Sequence, residues 1–148
     1  MRRARQRGFT LIELLVVLLI MGLLVTLGPI AFHRALPGLS LTAEARDVAA
    51  VFREARSVAI RDNREAVVSF DVQEKTYRLE GPGKEHDVDP GLGLELVSAA
   101  SEQVGENVGR IRFFPDGTST GGRVTLSSGE RKYYVVVDWL TGRVQVVH

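Results

Sequence analysis

The sequence predicts an α+β protein: a long N-terminal helix, apolar first and amphipathic after, packed on a C-terminal antiparallel β-sheet domain of sandwich-like form. Three observations lead there. From Leu14 to Phe32 the chain carries no charge at all. From Leu41 to Ile60 apolar residues return at helical steps. After Arg61-Asp62-Asn63 the period becomes that of strands, and seven short runs follow with polar turns between them.

Residues 1–8 form a basic leader. Arg2, Arg3, Arg5 and Arg7 place four positive charges ahead of Gly8, and such a cluster stays on the cytoplasmic side of a membrane. Residues 9–32 then read as a membrane helix, because Phe9 to Phe32 spans about 34 Å at 1.5 Å per residue, enough for a bilayer. A secretory signal with a small-x-small cut at Thr26-x-Gly28 fits less well, since Pro29 follows and the apolar core is long.

Glu13 is the exception inside that run. Insertion scales put an acidic residue at mid-membrane at about 2.5–3.5 kcal/mol, so a carboxylate there calls for a partner charge. If the chain is cut after Gly8, Phe9 gains a free amine near the membrane face, and Glu13 of a staggered neighbouring copy can pair with it. A plain anchor accounts for the helix but leaves Glu13 and the Gly8-Phe9 junction unexplained.

Residues 33–61 continue the helix in amphipathic form. Leu41, Ala45, Val48, Phe52, Ala55 and Ala59 fall at three- and four-residue steps, widened by Val51 and Val58, while Arg46, Asp47, Arg53, Glu54 and Arg56 lie mainly off the stripe. Pro37-Gly38 suggests a kink rather than a stop, so the whole reads as one long, bent helix.

Residues 62–148 form the β domain. Strands are expected at 65–71, 77–80, 94–97, 110–114, 123–126, 132–138 and 143–147, with Gln73-Glu74-Lys75 as one turn and Thr141-Gly142 as the last. The stretches 81–93 and 98–109 read as polar loops, long enough to be candidates for partner recognition. Pro115-Asp116-Gly117 is a turn sequence, and Gly121-Gly122 allows a sharp bend into the next strand. Trp139, at a strand end, is expected as a core or rim aromatic, with a subunit contact as the alternative.

Composition narrows the function. The formal charge is +1, with nineteen basic and eighteen acidic residues. Nineteen less the leader's four leaves fifteen basic against eighteen acidic, a mildly acidic remainder, so no nucleic-acid partner is expected. The chain has no cysteine, hence no disulfide framework or thiolate chemistry. His33, His86 and His148 lie far apart with no metal-ligand spacing, and His86-Asp87-Val88-Asp89 reads as a solvated polar loop rather than a cation site. Gly91-x-Gly93 lacks the strand–helix context of a nucleotide fingerprint, and Gly22 and Gly28 are too far apart for a small-xxx-small dimer face. No catalytic constellation, metal site or cofactor site is expected, and the chain is not read as an enzyme.

Gly8-Phe9-Thr10-Leu11-Ile12-Glu13 ahead of a long apolar helix resembles the processing site of type IV pilins and pseudopilins. Phe113-Phe114-Pro115-Asp116-Gly117-Thr118-Ser119-Thr120-Gly121-Gly122 and Asp138-Trp139-Leu140-Thr141-Gly142-Arg143-Val144 extend the likeness to the GspH/FimT-type minor pseudopilins, closest to the GspH members of type II secretion systems. The resemblance covers essentially the whole chain. It implies a type IV pilin-like fold, cleavage by a prepilin peptidase between Gly8 and Phe9, N-methylation of Phe9, and an assembly role for Glu13. It further implies a single-pass inner-membrane protein with a periplasmic C-terminal domain, a low-copy subunit near the pseudopilus tip that joins the other minor pseudopilins to the major one during protein export. The alternative is a FimT-like minor pilin of a type IV pilus that binds DNA, which a basic surface would favour.

Overall fold

The structure, a computed structural model, describes residues 11–34, 37–81 and 83–148, with side chains between 23 and 39 outside that description. Helix α1 runs Leu11–Arg34 and helix α2 Pro37–Asp62. The chain divides into two compact units, 1–36 and 37–148, a boundary four residues beyond the one read from sequence.

In the first unit, every described side chain from Leu11 to Met21 is exposed, Leu11 at 83%. Of the expected membrane helix, residues 9–32, only the side chains of residues 11–22 are among those described. Among the described residues no helix is long and apolar enough to cross a membrane.

The second unit carries the fold. Pro37 opens α2, a position where its fixed φ suits the helix and its missing N–H costs nothing. The apolar stripe is buried as the spacing predicts: Leu41, Ala45, Val48, Phe52, Ala55 and Ala59 have no solvent exposure, and Val51 and Val58 have under a tenth. Ala49 joins them. Each large side chain so removed from water contributes about 1.5–3 kcal/mol, which is why this face and not the charged one turns inward.

Nine strands follow among the described residues: β1 Ala66–Asp71, β2 Thr76–Leu79, β3 Glu85–Asp87, β4 Gly93–Ser98, β5 Gln103–Val104, β6 Val108–Phe113, β7 Gly122–Ser128, β8 Arg131–Val137 and β9 Val144–Val147. They form two antiparallel sheets, ordered β3-β2-β1-β6-β5 and β4-β7-β8-β9. Helix α2 packs on strands of both. This is the α+β arrangement that the change of period predicts.

Two of the expected loops are corrected. The stretch 81–93 contains β3, and 98–109 contains a 3₁₀ turn at Ala100–Glu102 and then β5. Both strands are short and paired on one side only, so they leave no alternating apolar signal. The loops also feed the core, with Val88 and Leu92 almost fully buried.

The core lies between α2 and the two sheets, and among the described residues its members fall between 41 and 146. Its centre is aromatic. The Phe52 ring sits 5.6 Å from Phe70 and 6.1 Å from Phe113, Phe70 stacks on Tyr77 at 5.3 Å, and Tyr77 stacks on His86 at 5.1 Å. His86 is thus the outer end of a ring stack.

On the opposite face of β6, arginines alternate with the buried Gly109, Ile111 and Phe113. Arg112 pairs with Glu65 and, through Nε at 2.9 Å, with the buried Glu102. Arg110 Nε lies 3.0 Å from Glu80 at an angle too poor for a hydrogen bond.

Candidate functional site

Of the residues the sequence marks for processing and assembly, Gly8 and Phe9 lie outside the described residues. Glu13 stands in the first turn of α1, among exposed apolar side chains. The electropositive N-terminal end of a helix suits a carboxylate there.

The second cluster is built by the fold. The stretches 113–122 and 138–144, separated in sequence by most of β7 and β8, meet beside α2. Phe113 and Ser119 form a bridge, closing the turn between them. Asp116 Oδ1 accepts from the amide and hydroxyl of Thr118, at 2.9 and 2.6 Å, and Gly117 takes a φ of +84°. The second turn repeats the device: Asp138 Oδ1 accepts from the amides of Leu140 and Thr141 and from the Thr141 hydroxyl, with Gly142 at φ +59°. Both carboxyl groups are held below the usual carboxylate range, chiefly by these threonine hydroxyls. Such turns follow from the ability of Asp to mimic a backbone acceptor two residues back.

The two turns are joined to each other and to the helix. The Ser119 amide donates to Trp139 O at 2.9 Å. Arg56 Nε donates to Gly117 O at 3.1 Å. Gly142 approaches so closely that a Cβ there would collide with the Gly117 carbonyl and lie 2.9 Å from Arg56 Nε. Sequence reading placed Arg56 among the residues off the apolar stripe and missed this link. Nothing in the helical period marks a polar-face arginine as the one that reaches a turn sixty-one positions away.

Trp139 is corrected too. Strand β8 ends at Val137, so Trp139 falls on the turn, 65% exposed beside the exposed Leu140. It does not enter the core.

Elsewhere Tyr77 donates to Glu44 Oε1 at 3.3 Å. Burial pushes the Tyr77 phenol up, with the negative charges of Glu44 and Asp47 adding to it, and burial likewise raises Glu44. Among the described residues, no cluster of three or more histidine or acidic side chains is placed to hold a metal ion.

Comparison with known proteins matches the sequence to a family. Residues 44–142 match the Type II transport protein GspH family, and residues 3–28 match the Prokaryotic N-terminal methylation motif. A type II secretion system protein H of Xanthomonas campestris pv. campestris is 33% identical over 144 residues, 97% of this chain and 84% of that protein. Among solved structures, the type IV minor pilin FimU of Pseudomonas aeruginosa aligns with a TM-score of 0.56 at 16% identity, over 73% of this chain and 88% of that one. The minor pseudopilin EpsH of Vibrio cholerae aligns at 0.55 and 13% identity, over 73% and 96%. At such identities the two structures speak to the fold alone. The family match spans most of the folded unit, and its range takes in both turns and Arg56: this chain belongs to the GspH family.

Proposed function

We propose that the chain works as a minor pseudopilin of a type II secretion system, a structural subunit and not an enzyme. The observation that carries this reading is the 33% identity with a type II secretion protein H along 97% of the chain. The fold by itself does not separate secretion from pilus systems, since FimU and EpsH align with it equally well.

In this reading prepilin peptidase cuts between Gly8 and Phe9, and Phe9 is N-methylated. The apolar helix holds the protein in the inner membrane with the β domain in the periplasm. On assembly the new Phe9 amine meets Glu13 of an adjacent protomer, so each charge is tolerable in an apolar shaft only when subunits stack. The subunit joins the other minor pseudopilins near the tip to the major pseudopilin, and the filament helps to move proteins across the outer membrane.

The test is co-purification of the full chain from membranes with the other pseudopilins, together with the mass of its mature N-terminus. Recovery of those partners by a chain beginning at Phe9 is expected. A chain that recovers only type IV pilus subunits, or binds DNA with micromolar affinity at moderate salt, belongs to the pilus alternative.

A further inference from the structure

Between α2 and the turn that joins β8 to β9 lies a cleft of about 420 Å³, lined by Arg53, Arg56, Ser57, Thr141 and Arg143 among others. Among the described residues, three arginines line this space and no acidic residue does. Arg56 is fixed there by its bond to Gly117 O. Arg53 and Arg143 have no ion-pair partner among the described residues.

The acids on the flanking turns do not answer these charges with their bonding oxygens. Asp116 Oδ1 is turned to Thr118, and Asp138 Oδ1 to Leu140 and Thr141. Arg143 acts on Asp138 only as a minor charge contribution. Arg53 and Arg56 stand one helical turn apart, an arrangement in which like charges repel. The contrast with β6 is informative, because Arg110 and Arg112 there are each matched to glutamates. The domain thus pairs both arginines of β6 with glutamates and gathers three others in one concave space, two of them without an ion pair among the described residues.

We propose that this cleft is a carboxylate-recognition site that receives an acidic segment of a partner protein, two neighbouring Asp or Glu side chains presented together. Guanidinium forks match carboxylates in paired hydrogen bonds, and the Ser57 hydroxyl supplies a further donor, whereas that of Thr141 is already given to Asp138. A protein segment suits the cleft better than nucleic acid. A phosphate backbone calls for a basic stripe across several phosphates, whereas here the arginines occupy one cleft on a chain that is acidic without its leader. The identity of the partner as a filament subunit rests on the reading given above.

The experiment uses the full chain in detergent micelles and a fluorescein-labelled hexaglutamate peptide, followed by anisotropy. Micromolar binding that weakens with salt is expected. Arg53→Gln and Arg143→Gln should each lower affinity about tenfold, with the thermal midpoint unchanged because neither side chain is bonded within the domain. Equal binding by wild type and the double variant overturns the proposal. So does tighter binding of a DNA oligonucleotide of equal charge, lost in the same variants. A wild-type chain that ignores the peptide yet co-purifies with pseudopilins sinks the cleft and leaves the assembly reading standing. One that binds the peptide through these arginines yet recovers no pseudopilin upholds the cleft and sinks the assembly reading.

Discussion

Arg56 Nε donates a hydrogen bond to the carbonyl oxygen of Gly117 at 3.1 Å, and Gly142 closes over the same oxygen. One helix and two turns therefore share a junction in which there is no room for another carbon. Gly142→Ala adds a Cβ at a φ of +59° that alanine disfavours, against a carbonyl and a guanidinium that cannot both retreat. A loss of about 2–3 kcal/mol is expected in urea unfolding of residues 37–148. An unchanged midpoint would show that the turn relaxes freely.

Phe52 stands where α2 meets the aromatic centre, fully buried between Phe70 and Phe113. Phe52→Ala leaves a cavity among rings that cannot collapse into it and should cost about 3–5 kcal/mol. Phe52→Asp adds an unpaired charge and should leave the domain unfolded, read by the loss of near-ultraviolet circular dichroism. A folded Phe52→Asp domain of normal melting temperature means the inward helix face is misassigned.

Arg112 lies between an exposed and a buried carboxylate. Removing it strands Glu102, which is 6% exposed, whereas Glu65 keeps contact with water. Arg112→Met should therefore destabilise by about 2–3 kcal/mol, and Glu65→Gln by less than about 1 kcal/mol. Comparable losses for the two variants would contradict this ordering.

Stability should fall at alkaline pH through Tyr77. Burial holds its phenol above the ordinary value of 10.0, so above pH 10 the unfolded chain releases a proton that the folded chain retains. The contribution is fully present below pH 10 and lost as pH rises beyond it, with a slope of at most about 1.4 kcal/mol per pH unit. Denaturation midpoints between pH 9 and 11.5 should drop more steeply for wild type than for Tyr77→Phe. Parallel curves count against the assignment.

Glu13→Val should leave cleavage and membrane insertion intact, because it only makes the helix more apolar. Crosslinking to neighbouring pseudopilins should fall about tenfold, equivalent to about 1.4 kcal/mol. Undiminished crosslinking removes the charge-pairing role.

Much of the fold was legible in the sequence because it rests on periodicity. The stripe from Leu41 to Ala59 is buried as its spacing predicts, and the seven expected strands lie within two residues of the observed limits. What escaped was whatever depends on backbone pairing or on distant partners. Strands β3 and β5 are held by ladder bonds to β2 and β6 and carry no apolar alternation. Arg56 looks like any solvated helix residue until the turn it reaches is in place. Trp139 stays out of the core because its strand ends two residues earlier, a limit that aromatic character does not signal. Of the processing and assembly residues, motif spacing alone singles out Gly8, Phe9 and Glu13.

The brevity of β3 and β5 matters beyond the fold. Free sheet borders invite a second chain to add itself through unpaired amides and carbonyls, the route by which crowded proteins clump. Here one border ends in three residues, Glu85, His86 and Asp87, and the other in only two, Gln103 and Val104. Neither gives a stranger enough ladder to hold, and acidic side chains guard the longer one. Copies of this chain can therefore gather densely without sticking border to border on that sheet, which leaves side-chain recognition to decide who stands next to whom.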